Sequence, residues 1–304
     1  MRILVTGSEG QVARSLREAA ASRPHLTLEF AARPGIDLLR PETIAPALES
    51  FRPDLVINPA AYTAVDRAES EPDLVFAINR DGAGAVAAAA ARVGAPIVHL
   101  STDYVFDGAK PEPYDESDPT SPRGVYGRSK RDGEQAVAAA NPRHVILRTS
   151  WVYAPFGGNF PRTVLRLSGE RDRLRVVDDQ LGCPTYAPDI AEAILTIAPR
   201  LTASAWRPSR GGATNLAGPD AVSWCGFARL IIAAAARFGG RDIPVDPIAT
   251  ADFPTPAERP ANSRLATGRL AAEFGVRLPP LRQSIDRCVA RLLAPEAAMS
   301  GSRA

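Results

Sequence analysis

The chain has 304 residues, enough for two domains or one large α/β unit, and its 45% hydrophobic and 23% charged content is that of a soluble globular protein. Its 36 basic and 34 acidic residues leave a net charge of only +2 with no long basic run, which argues against a nucleic-acid partner. Ala-rich runs such as "AVAAAAARV" (85–93) are too short to span a membrane, and "MRILVTG" runs straight into a strand with no room for a signal sequence, so a cytoplasmic protein is expected. Cys183, Cys225 and Cys288 are too few and too widely spaced for a disulfide framework or a zinc site, and are read as reduced, mostly buried thiols.

Short apolar runs alternate with longer helical patterns through the first half. "RILVT" (2–6), "LTLEFA" (26–31), "DLVIN" (54–58), "PIVHLS" (96–101) and "HVILRTS" (144–150) predict buried strands. Stretches near 10–22, 41–51, 71–93 and 124–140 predict the helices between them. Apolar strands alternating with helices imply a parallel sheet covered on both faces, and right-handed crossovers make it a doubly wound α/β (Rossmann) arrangement. After Ser150, Pro and Gly punctuate the pattern; "RLRVVD" (173–178) and "ATNLAG" (213–218) predict further strands, with helices near 187–199 and 223–238. The expected organisation is a dinucleotide-binding domain over 1–150 and a smaller C-terminal substrate-binding lobe over 151–293, with some later elements returning to the first domain. The small, polar residues 294–304 are expected to form a frayed tail.

"VTGSEGQVARSL" (5–16) follows the first strand and opens a helix. Gly7 permits the tight turn, Gly10 lets backbone approach a pyrophosphate, and Ala13 sits where a small residue packs helix against strand, so free N–H groups would face the phosphates. At the end of the second strand, "FAARPGIDL" offers Arg33 where an acid for the ribose 2′-hydroxyl often stands. An arginine there suits a 2′-phosphate and favours NADPH, with NADH left open as donor. Asp37 and Leu38 follow as candidates for the adenine pocket.

"HLSTDYVFDG" (99–108) places Ser101 and Thr102 at the carboxyl end of the fourth strand, where open α/β sheets build their sites. Tyr126 and Lys130 share one face of the following helix, because residues four apart are neighbours. An ammonium beside a phenol would favour the phenolate, and a Thr102 hydroxyl would orient a substrate oxygen; the set suits protonation of a carbonyl as hydride reaches its carbon.

These motifs, with "NPAAYTAVDRAE" (58–69), "YGRSK" (126–130), "LRTSWVYAPFGGNF" (147–160), "DDQLGCPTYAPDIA" (178–191) and "FPTPAERPANSRL" (253–265), resemble the extended short-chain dehydrogenase/reductases, and within them the dTDP-4-dehydrorhamnose reductase family. The resemblance implies reduction of the C4 ketone of a dTDP-4-keto-6-deoxy sugar by a nicotinamide. Thr102, Tyr126 and Lys130 become the catalytic set, with Lys130 also on the nicotinamide ribose. Gly7, Gly10, Gln11, Val12, Arg33, Asp37, Leu38, Ala60, Ala61, Tyr62, Asn79 and Ser101 are implied along the cofactor. Thr63, Val65, Asp103, Tyr104 and Trp151 are implied around the sugar, with Asn159 and Arg259 at the nucleotide diphosphate. Related 4,6-dehydratases carry Thr-Asp-Glu where this chain has Thr102-Asp103-Tyr104, so reduction without dehydration is expected. Another dTDP-deoxysugar 4-ketoreductase and a non-catalytic NADP-binding relative stay open as alternatives.

Some family members link dimers through Mg²⁺ held by surface acids. Ser15 stands where one acid serves and leaves Asp189 a lone carboxylate, so no metal ligand is assigned, a need for Mg²⁺ is left open, and monomer and homodimer both remain. His25 and His144 precede strands and His99 lies within one; without metal spacing, a lone His in an apolar run reads as a satisfied core residue.

Overall fold

In the computed structural model, which describes residues 1–294, strand and helix alternate from the first turn. The first half comprises β1 (Arg2–Thr6), α1 (Gln11–Ala20), β2 (Thr27–Ala31), α2 (Ile44–Phe51), β3 (Leu55–Asn58), α3 (Val65–Ala68), α4 (Pro72–Phe76), α5 (Ala83–Arg92), β4 (Ile97–Thr102), α6 (Val125–Ala140) and β5 (His144–Thr149). The second half adds β6 (Val152–Tyr153), α7 (Phe160–Glu170), β7 (Leu174–Val177), β8 (Leu181–Gly182), β9 (Thr185–Tyr186), α8 (Ala187–Ile197), β10 (Gly212–Asn215), β11 (Val222–Ser223), α9 (Trp224–Arg237), β12 (Val245–Ile248), β13 (Asn262–Ser263), α10 (Gly268–Phe274) and α11 (Leu281–Leu293). All but the first residue of the expected tail, 294–304, lies outside the described residues.

Six strands form one parallel sheet in the order β10-β5-β4-β3-β1-β2. Alternation along each strand assigns the two faces. Ile3, Val5, Leu55, Ile57, Val98 and Leu100 pack on one side with Leu16 of α1 and Ile190 and Ile194 of α8. Leu4, Val56 and Ile97 pack on the other with Leu48 of α2, Val86 and Ala90 of α5, and Val137 of α6. Ala13 is buried in the first layer, where its single methyl fits between helix and strand. A separate core gathers Tyr153, Tyr186, Phe227, Ile231 and Ile285, with Cys225 and Cys288 among them as free, buried thiols. Elements α8 and β10 return from the second half to cover and extend the first sheet, so the halves interleave.

One helix expected over 71–93 is instead interrupted. A π-helical segment, Ala77–Gly82, separates α4 from α5. The extra residue in that turn lets Gly82 lie against Leu38, where a Cβ would sit 2.7 Å from the leucine Cβ. The run Pro72–Arg92 is apolar and long enough by composition to cross a bilayer, yet Val75 is buried beneath α6, and Ala83, Val86, Ala87 and Ala90 form a layer against the sheet.

Helix α6 lies directly on neighbouring backbone. A Cβ on Gly127 would be 2.2 Å from the Tyr104 carbonyl oxygen, and one on Gly133 would be 2.1 Å from that of Asn79. Behind this contact Arg148 of β5 makes a two-pronged ion pair with Glu134 (2.7 and 3.0 Å), both side chains 7% exposed. Gly133→Ala should lower unfolding stability by ~1–2 kcal/mol net, because the clash with rigid backbone exceeds the gain in helix propensity. Gly169→Ala in α7, where nothing lies within 4 Å, should not destabilise. Urea unfolding midpoints check both, and an unchanged midpoint for Gly133→Ala would contradict the close approach.

Candidate active site

Strand order reverses between β1 and β3: the chain leaves β1 for β2 on one side and returns to β3 on the other, opening a crevice at the strands' carboxyl ends. Gly7, at φ +80°, turns the chain out of β1, and a Cβ there would lie 3.6 Å from that of Ala60 after β3. Gly10 is the N-cap of α1 and has open space around it. The helix start carries neither a side-chain cap nor an acid in its first turn, so its N–H groups are free for an anion. Arg33 is exposed beyond β2 and has no ion-pair partner among the described residues. Asp37 accepts from the Leu39 amide (3.0 Å), which holds the turn carrying Leu38 against the π segment.

The loop after β3 is braced from below. Asn79 accepts from the Tyr62 amide (2.8 Å) and donates to the Tyr62 carbonyl (3.1 Å) and to Ser129 Oγ (3.0 Å). It is 1% exposed and supports the Ala60–Ala61–Tyr62 loop from below. The Tyr62 hydroxyl donates to Glu71. Gln11 receives a hydrogen bond from Asn159 (2.9 Å), and Val12 packs beside Val152 and Phe156.

At the end of β4, Thr102 donates to Asp103 Oδ1 (2.9 Å). Burial pushes the Asp103 carboxyl up to about 6, opposed by the nearby hydroxyls of Ser263, Thr102 and Ser150. The Tyr126 phenol is 9% exposed. Burial raises its pKa well above the usual tyrosine value, a hydrogen bond with Thr102 opposes the rise, and the Asp103 charge adds to it. Lys130 does not counter this, contrary to the expectation from its spacing. Its Nζ donates to the Leu100 carbonyl (2.7 Å) and meets His99 Nε2 at 3.3 Å, so the amine is tied to β4 and not to the phenol. Burial lowers Lys130 to about 8, with Glu134 pulling the other way. The phenol therefore holds its proton at neutral pH, the state a proton donor needs.

Tyr104 meets Tyr126 edge to face, with centroids 5.6 Å apart, and Val65 and Tyr62 complete an apolar wall beside them. Thr63 is exposed at its rim. The segment 253–265 folds in from the far end of the sequence. Gly108 admits it, since a Cβ there would lie 2.3 Å from that of Pro260, and Asn262 N donates to the Gly108 carbonyl. Arg259 pairs with Asp66 (2.7 Å), while its Nη1 is buried without a partner.

Asn159 donates to the Ala154 (2.8 Å) and Phe156 (3.1 Å) carbonyls as well as to Gln11, and accepts from the Arg162 amide. These bonds cap α7 and tether it to the glycine loop. Trp151, at φ +47°, is stacked on Trp224 with centroids 3.5 Å apart and packs over Gly182. Asp189 accepts from Ser284 and Arg287, both at 2.5 Å, so its carboxylate is already matched by a cation. Sequence reasoning missed Asn58, Glu71, Asp66 and the link from His99 to Lys130, because each partner comes from a different strand or loop.

A dinucleotide fits these residues. The glycine cradle is open, and Ser101 Oγ and Thr149 Oγ1 are buried at the ends of β4 and β5 without hydrogen-bond partners among the described residues, which a polar ligand would supply.

The sequence matches the family described as RmlD substrate binding domain over residues 1–294. It is 51% identical over 293 residues to a dTDP-4-dehydrorhamnose reductase of Sinorhizobium fredii, covering 96% of this chain and 98% of that protein. It is 38% identical to one from Escherichia coli K12, covering 98% and 100%. Among solved structures it is similar to a dTDP-4-dehydrorhamnose reductase of Clostridium acetobutylicum (TM-score 0.88, 34% identity, covering 97% and 100%). A reductase of the same name from Bacillus anthracis, solved in complex with NADP, gives TM-score 0.87 and 34% identity over 94% and 97%. On a match of this extent, the chain belongs to the RmlD family, that of the dTDP-4-dehydrorhamnose reductases.

Proposed function

We propose that this chain reduces the C4 ketone of a dTDP-4-dehydro-6-deoxy-L-sugar to give dTDP-L-rhamnose, with NADPH as donor. The observation that carries the reading is the buried Tyr126 phenol beside the Thr102 hydroxyl at the carboxyl end of β4, the strand next to β3. The names of its relatives supply the substrate class, and the NADP complex of the Bacillus anthracis relative supports the donor.

Gly7, Gly10 and the start of α1 would hold the pyrophosphate, and Arg33 a 2′-phosphate. Ser101 and Lys130 would border the nicotinamide end. Bound there, a reduced nicotinamide supplies hydride to C4. Tyr126 gives its proton to the oxygen as negative charge develops there, and Thr102 orients that oxygen. Lys130, held by the Leu100 carbonyl and His99 and not by the phenol, would serve as an ammonium toward the nicotinamide ribose. Tyr104, Val65 and Tyr62 pack the apolar parts of the sugar, and Arg259, with its unpartnered Nη1, would meet the diphosphate. Tyr104 occupies the place of a dehydratase's second acid, and a buried phenol with a raised pKa cannot serve as a base for eliminating water.

Incubation with the 4-keto sugar and each nicotinamide, followed by product analysis, tests the whole reading; failure to form the reduced sugar with either donor would refute it. Tyr126→Phe should lower kcat by ~10²–10⁴-fold while leaving NADPH affinity, read by fluorescence titration, unchanged. Activity should need the Lys130 ammonium, so kcat/KM for the nicotinamide should fall as pH rises through about 8. A limb near the ordinary lysine value of ~10.4 would contradict this assignment. Arg33→Ala should raise the KM for NADPH about tenfold and leave NADH nearly unaffected, through loss of a charge-assisted hydrogen bond; equal effects would remove the 2′-phosphate role.

A further inference from the structure

Beneath the crevice runs a line of buried polar groups that the reaction above does not use. Thr6, Asn58 and His99 occupy one level and one face of β1, β3 and β4: Asn58 and His99 are register partners, and Thr6 follows Val5, the partner of Ile57. Their exposures are 1%, 0% and 0%, and Lys130 of α6 closes the line at 2%. Thr6 Oγ1 donates to Asn58 Oδ1 (2.5 Å), Asn58 Nδ2 faces His99 Nδ1 (3.0 Å), and His99 Nε2 faces Lys130 Nζ (3.3 Å). At the two ends of the line backbone groups also take part, the Leu100 carbonyl accepting from Lys130 Nζ (2.7 Å) and the Ala60 amide donating to Thr6 Oγ1 (3.4 Å); between them Asn58 and His99 must match each other.

We propose that this line is a tautomer-switching chain that lets Lys130 exist as ammonium or as neutral amine in a dry site, with His99 as a positioning residue for the reaction. The part concerning catalysis rests on the role given to Lys130 above. With Asn58 Nδ2 donating to Nδ1, the ring proton sits on Nε2 and can only donate to a neutral Lys130 amine. An ammonium needs the reverse order. Nε2 then accepts from Lys130, Nδ1–H donates to Asn58 Oδ1, and the amide, turned by half a rotation, donates to Thr6 Oγ1. Going from amine to ammonium takes up one proton from solvent, while the imidazole keeps a single proton whose place changes from Nε2 to Nδ1; each group exchanges donor for acceptor.

The surroundings keep the imidazole neutral in both orders. Its pKa is well below the ordinary histidine value, through burial first and the Lys130 charge second. On Lys130's own helix the charge that acts on it is Glu134, already paired with Arg148 of β5. From the π segment Asn79 and from α6 Ser129 are uncharged, and Arg80 pairs with Asp81 at the surface. An aliphatic residue in place of His99 could serve neither state of the amine.

The test uses the full chain labelled with ¹⁵N-histidine. Only three histidines are present, and His99→Gln identifies the His99 signals. Between about pH 6.5 and about pH 9.5 the neutral ring should pass from Nδ1–H to Nε2–H as Lys130 titrates, and in Lys130→Met it should keep one tautomer throughout. A single tautomer across this range in the unaltered chain, or an imidazolium at its acid end, would overturn the proposal. No substrate is needed, so this outcome is independent of whether the chain proves to be the reductase. In kinetics, His99→Phe should cut kcat about ten- to a hundredfold and move the alkaline limb to lower pH, since the ammonium loses the stronger hydrogen bond; His99→Gln should recover most of kcat. A folded His99→Phe with unaltered kcat and pH profile would equally overturn it.

Discussion

Everything at this site depends on how closely α6 can approach its neighbours. Gly127 and Gly133 present bare backbone to the Tyr104 and Asn79 carbonyls, at separations no side chain would allow. The helix consequently sinks onto the sheet deeply enough that Lys130 reaches the Leu100 carbonyl from the side while Tyr126 stands beside Thr102. One methyl group on that face would lift the acid away from the strand end it serves. Glu134, gripped by Arg148, locks the middle of the same helix.

Depth in turn sets proton states. Removing a phenol and an amine from water opposes the charge of each, so the phenol stays protonated and the amine is pulled down toward neutrality. A surface Tyr-Lys pair would show neither effect. Ser101 Oγ and Thr149 Oγ1 are buried nearby without hydrogen-bond partners among the described residues. Asp103, at about 6, sits within hydrogen-bond reach of Thr102 and adds negative charge near the phenol, reinforcing its hold on the proton.

The framework was legible in the residues to an unusual degree. Runs of apolar residues placed five strands of the sheet within a residue or two, since a strand buried on both faces leaves no room for polar side chains. The break in the helix over 71–93 was not legible, because its cause is tertiary: Gly82 must accommodate Leu38, forty-four positions earlier. At the site, Tyr126 of α6 lies beside Thr102 at the end of β4. Trp151 stacks on Trp224 and Asn159 caps α7. A Trp flanking a strand has the same letter whether it meets a sugar or another indole, and Trp224 lies far along the chain. Asn159 serves as an N-cap, a role its position before "FPRTV" would have disclosed on local grounds alone.

The sequence by itself determined the doubly wound sheet and the glycine turn. These rest on short-range facts: periodicity, the conformational freedom of glycine, and the four-residue helical repeat. Only the tertiary structure decided which partner each buried polar group would meet. Lys130 turned to the Leu100 carbonyl and His99 instead of the tyrosine four residues before it, and Arg259 crossed nearly two hundred positions to meet Asp66. The reason is that a hydrogen bond depends on distance in space, and packing the helix onto the sheet sets distances that neighbours in sequence do not.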